Sequence, residues 1–159
     1  MPLFPLVLAL TLACTRDPLA EAGETYVGEM QPLFSQNRAL GEQFLQVASK
    51  VKKNESDAKA VAAVVSDPVL AAASAMAASA AQVHPMDSQL AGAHGELVAA
   101  WKHRSEAYSA VATAWKAQDR AAFDAAVAAA GKAADEEAAA ADHLDRVLGP
   151  AGVHVDLYP

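Results

Sequence analysis

The sequence predicts an all-α protein: an antiparallel up-down four-helix bundle, its second helix kinked or split near Pro68, with a short extended C-terminal tail. Three observations point there. Alanine supplies 41 of the 159 residues while aromatics make up only 6%, and alanine has the highest helix propensity because it has no side-chain entropy to lose. Apolar residues recur in alternating steps of three and four, the spacing of a helical seam. Proline, glycine, aspartate and serine signals separate the seams at short intervals, and short connections favour antiparallel neighbours.

The chain begins with a segment of a different kind. Pro2 to Ala13 reads PLFPLVLALTLA, without a charge. It is too short to cross a bilayer, which takes about 20 residues, but it fits the hydrophobic region of a signal peptide ending in a small residue. Cys14, the single cysteine, follows directly, so no intramolecular disulfide can form. The run Leu10-Thr11-Leu12-Ala13-Cys14 resembles the lipobox of bacterial lipoproteins, with Thr11 where that family usually has leucine and no basic residue ahead of the apolar run. The resemblance covers residues 1–14. It implies that residues 1–13 are removed as a signal peptide and that Cys14 becomes the lipidated first residue. It also implies a protein held on a bacterial membrane, facing the periplasm or cell surface. Residues 14–23 are then the lipidated cysteine and a spacer. Plain secretion after cleavage near Ala13 and a chance apolar start are the alternatives. The remainder is similar in architecture and composition to small exported lipoproteins that carry Ala-rich bundles, a likeness that implies no activity.

The bundle is expected over residues 24–148. Helix 1 runs from Glu24 to Lys53 on a seam of Tyr26, Met30, Leu33, Asn37, Leu40, Phe44, Val47 and Val51. Lys50, Lys52 and Lys53 suit the negative end of its dipole. Ser56 can cap a further stretch, and Asp67-Pro68 is a second start signal with proline at the first helical position. Residues 57–83 are therefore one kinked helix or two pieces. From Val69 to Val83 this stretch is mostly alanine, with Val69, Ala73, Met76 and Ala80 on its seam, and small side chains place it in the interior. His84-Pro85 ends it. Asp87 or Ser88 caps helix 3, which runs to Lys116 on Leu90, His94, Leu97, Trp101, Arg104, Tyr108, Val111 and Trp115. Gln118-Asp119 turns the chain into helix 4, Arg120 to Leu148, with Phe123, Val127, Ala130, Ala134, Glu137, Ala141, Leu144 and Leu148 on the seam. Gly149-Pro150 stops it. In the tail, residues 149–159, Val153 to Leu157 alternates and reads as an extended strap.

A net charge of −7 argues against nucleic acid, which requires clustered lysine and arginine. The sequence contains no glycine-rich phosphate loop, GxSxG, HExxH or CxxC, and neither catalytic residues, a metal nor a cofactor is assigned. The polar residues on apolar seams remain: Asn37, His94, Arg104 and Glu137. Buried, each needs a partner. A hairpin turning near residue 118 places Arg104 about one turn from Glu137 and His94 opposite His143. Arg104, Glu137, His94 and His143 are thus either a polar pocket for a small ligand or a register-setting buried pair. Two imidazoles beside Asp142 and Asp145 would suit zinc, copper or nickel, but the spacing matches no metal motif. Trp101, Tyr108 and Trp115, seven apart, read as core. The expected function is that of a non-enzymatic interaction or scaffold module with an envelope protein partner, held to the membrane by its N-terminal lipid. A small-ligand or metal-binding bundle is the alternative.

Overall fold

A computed structural model of the chain describes residues 17–52 and 66–155. Among the described residues four helices pack as a bundle: α1 (Pro18–Lys52), α2 (Asp67–Ala80), α3 (Ser88–Ala117) and α4 (Arg120–Leu148), followed by one 3-10 turn, Gly149–Ala151. Among the described residues there is no strand. The signal peptide, Cys14, the stretch from Ser56 to Val65 and residues 156–159 lie outside them.

Helix α1 begins at Pro18, not Glu24, so most of the expected spacer is helical. The signal is Asp17-Pro18, the dipeptide that also opens α2 as Asp67-Pro68. The Asp17 carboxylate accepts from the Leu19 N–H at 3.0 Å, and proline at the first helical position gives up only an N–H that would be unbonded there anyway. Pro32 also lies within α1. It and Gly28, whose carbonyl loses its helical donor, are both exposed, so the break is on the side water can reach.

Tyr26 meets His94, Phe34 meets Trp101, and Phe44 stacks on Tyr108. Residue numbers rise together along both helices, so α1 and α3 are parallel and α2 and α4 antiparallel to them. Phe34 is fully buried where Leu33 was expected, and Leu33 is half-buried. Helix α2 starts at Asp67, so Pro68 is a start and not a kink, and it stops at Ala80 rather than Val83. Ala73, Met76 and Ala80 are buried, as the seam predicts.

The hairpin of α3 and α4 is the most tightly joined part. The α3 seam is buried from Leu90 to Val111, with Trp115 half-buried. In α4 the expected Ala134 is exposed and Ala141 is half-buried. Val127 is likewise half-buried, and the buried line is Phe123, Ala126, Ala130, Ala133, Glu137, Ala140, Leu144 and Val147, together with the expected Leu148. The reason is a second, smaller seam on α3: Ala93, Ala100, Ala107 and Ala114, every seventh residue, all buried. The register fixed by the polar pairs described below sets these opposite Val147, Ala140, Ala133 and Ala126. Alanine against alanine lets the backbones approach closely, which turns α4 about its axis relative to the expected seam.

Gln118, with φ of 56°, makes the left-handed turn after α3, and Asp119 caps α4 by accepting from the Ala122 N–H at 3.0 Å. At the far end the α-helix stops at Leu148 with Gly149 as its cap, as expected, and after the 3-10 turn the chain reverses at Gly152, φ 73°. Val153 then packs into the core against Gly23. A Cβ on Gly23 would lie 2.7 Å from a Leu148 methyl and 3.3 Å from Val153. The tail straps the bundle here through one buried residue.

Candidate functional site

The polar seam residues form two separate groups in the interior. The first joins three helices. Arg104 of α3 donates from Nη1 to Oε2 of Glu137 on α4 at 2.6 Å, and from Nη2 to Oδ1 of Asn37 on α1. Asn37 in turn donates from Nδ2 to Oε1 of Glu137. All three are buried, at 2%, 5% and 2% exposure for Asn37, Arg104 and Glu137. Each carboxylate oxygen has a donor and the amide oxygen has one, so the triad satisfies itself where a lone charge would be costly. Tyr108 lies one turn on. Burial pushes its phenol up to about 12, with Glu137 adding to the rise and Arg104 opposing it.

The second group also ties three helices together. The His94 ring is buried between Tyr26 Oη, 3.2 Å from Nδ1, and the Ala80 carbonyl, 3.0 Å from Nε2. A carbonyl only accepts, so Nε2 carries the proton and Nδ1 accepts from the tyrosine hydroxyl. Ala80 is the last residue of α2, where carbonyls lack helical donors; the Val83 N–H also donates to it at 3.0 Å. His94 therefore closes the end of α2. Burial holds its pKa below the usual imidazole value, more strongly than the backbone bonds raise it, and His84 lowers it further.

His143 is not part of this group. It faces Glu96 at 2.8 Å on the surface. His103 similarly faces Glu136 at 2.7 Å. These pairs place the hairpin register about two to four residues from the one expected, which is why Arg104 reaches Glu137 directly and His94 does not meet His143. No local pattern points to Tyr26 and Ala80 as the partners of His94, because both contacts cross between helices. Asn37, read only as a polar seam residue, is the third member of the triad.

Trp101 is fully buried and packs edge-on to Phe34 at 6.2 Å and 78°, which agrees with the core reading of the aromatic repeat. Its indole N–H has no hydrogen-bond partner among the described residues. Among the described residues no group of three or more His, Cys, Asp or Glu is placed to hold a metal ion, and no helix is long and apolar enough to cross a membrane. Comparison with protein-family models, with curated proteins and with solved structures finds no match to this chain.

Proposed function

We propose that this chain is a lipid-anchored protein of the bacterial envelope whose helical bundle serves as a non-enzymatic interaction or scaffold module. The observation that carries this reading is the uncharged run Pro2 to Ala13 ending directly on Cys14, with the helical body beginning at Pro18. A single acyl chain holds a protein only marginally, whereas two or more hold it firmly. The interior adds support for a scaffold. Asn37, Arg104 and Glu137 spend their polar atoms on one another, and His94 spends both ring nitrogens on Tyr26 and Ala80, so these groups serve to assemble the bundle. One observation favours the second reading, a small-ligand bundle: the buried Trp101 N–H, three residues before Arg104, has no acceptor among the described residues.

The test is expression in a bacterium with labelled palmitate. The wild type incorporates label and partitions into detergent, and Cys14→Ser does neither. Equal labelling of the two proteins would sink the anchor.

A further inference from the structure

We propose that the end of the bundle carrying the α2–α3 connection lies against the lipid surface, with Met86 in the membrane interface; this rests on the lipid-anchor reading of Cys14. Three observations converge on that end. The first is the tether. Asp17 is already capping α1, so only the steps from Cys14 to Asp17 separate the acyl group from the folded body. At no more than about 3.3–3.6 Å per residue these steps can reach at most roughly 11 Å. The start of α1 therefore stays near the membrane while the opposite end of a helix as long as α3 stands about 45 Å away.

The second is register. Tyr26 lies level with His94 and Asn37 with Arg104, 68 and 67 residues apart, and carrying this offset back puts Pro18 level with the connection that holds Met86. Met86 is 95% exposed, the more exposed of the two large apolar side chains that the described residues leave in solvent. The other, Leu45, lies towards the opposite end. A lone exposed apolar residue is ordinary on a protein surface, but this one stands at the level where the tether ends.

The third is charge. The acids in the connections at this end, Asp17 and Asp87, turn back onto helix N-termini. Asp17 accepts from the Leu19 N–H, and Asp87 from the N–H groups of Gln89 and Leu90, both at 2.9 Å. Their charge is offset by the positive ends of the helix dipoles. Among the described residues, His84 and His154 are the other titratable groups in those connections. Exposed charges on the adjoining helix turns do not separate the two ends: Glu21, Asp145 and Arg146 stand at this one, and Lys116, Arg120 and Asp124 at the other.

The test uses the full lipidated protein in phosphatidylcholine vesicles containing a nitroxide-bearing phosphatidylcholine. Met86→Cys and Ala121→Cys, both at exposed positions, are labelled with an environment-sensitive fluorophore. An acylated Cys14 has no thiol to react. The label at position 86 should shift to the blue and lose most of its intensity to the nitroxide lipid, while the label at 121 should do neither. Protein that floats with vesicles but shows equal, unquenched emission at both sites overturns the placement alone. Wild-type protein that takes up the fluorophore at Cys14 and does not float overturns the anchor and the placement together.

Discussion

Two adjacent pairs join α3 to α4 across the same sequence separation, Arg104 with Glu137 and His103 with Glu136. One is in the core and the other in water. The side chains of the first pair are 7% and 2% exposed, and those of the second are 55% and 35% exposed. Their contact distances are nearly equal, 2.6 Å and 2.7 Å, so distance does not rank them. What ranks them is what happens when one partner goes. A surface charge left alone is rehydrated, whereas a buried charge left alone has no solvent to turn to.

The comparison is broken most directly at Arg104. Arg104→Met should destabilise the fold by about 3–5 kcal/mol in chemical denaturation, because Glu137 stays buried with its charge uncompensated. Replacing Glu137 by Leu as well should recover part of this loss. Full recovery should need Asn37→Leu in addition, because Asn37 bonds to both. A mutant cycle reads the coupling, and a coupling energy near zero for Arg104 and Glu137 would refute the structural triad.

The next effect tests the helix contact that carries both pairs. Ala133 is fully buried and its neighbour Ala134 is exposed. Ala133→Leu should cost about 1–3 kcal/mol by overpacking, and Ala134→Leu should leave the midpoint of thermal unfolding where it was. If Ala134→Leu is the more damaging of the two, α4 presents the other face.

These two residues also show what the sequence made legible. The helical period, the Asp67-Pro68 start and the apolar seam of α3 are local signals, and the structure follows them. The α4 seam lies one residue earlier than expected at Ala126, Ala133 and Ala140. Apolar periodicity weights large side chains, and here the contact is made by alanines. The repeat that could have revealed it, Ala93, Ala100, Ala107 and Ala114, is visible in the sequence but looks like background in so Ala-rich a chain. The triad was half legible: Arg104 with Glu137 follows from a hairpin of known turn, while Asn37 arrives from a helix whose rotation no local rule sets. The partners of His94 were illegible for the same reason.

Smaller again is a dependence on pH that sets the buried histidine apart from the exposed ones. His94 is held neutral by burial, so the unfolded chain binds a proton more readily than the folded one. Stability should then fall as pH drops below about 6.5, the ordinary imidazole value. His94→Gln keeps a donor for the Ala80 carbonyl and an acceptor for the Tyr26 hydroxyl but cannot be protonated. Denaturation at pH 7 and pH 5 should show a smaller loss for His94→Gln than for the wild type. An identical loss in both would mean that the imidazole is protonated in the fold without penalty.

The smallest effect belongs to the exposed pair. The bond from His103 holds the Glu136 carboxyl below its usual range, with the charges of His103 and Lys132 assisting. A carboxylate of depressed pKa contributes only above its unfolded value, about 4.3, and the contribution disappears as pH falls through the lower folded value. At neutral pH it is present, yet it acts between groups in contact with water and salt. Glu136→Gln should therefore leave the denaturation midpoint unchanged in physiological salt, and any small shift at low ionic strength should vanish when salt is added. Glu137→Gln, one residue along the same helix, should lower the midpoint at every salt concentration, because removing its charge leaves Arg104 buried without its counterion. Equal costs for the two substitutions would mean that water reaches both sites alike, and the contrast between core and surface would not hold.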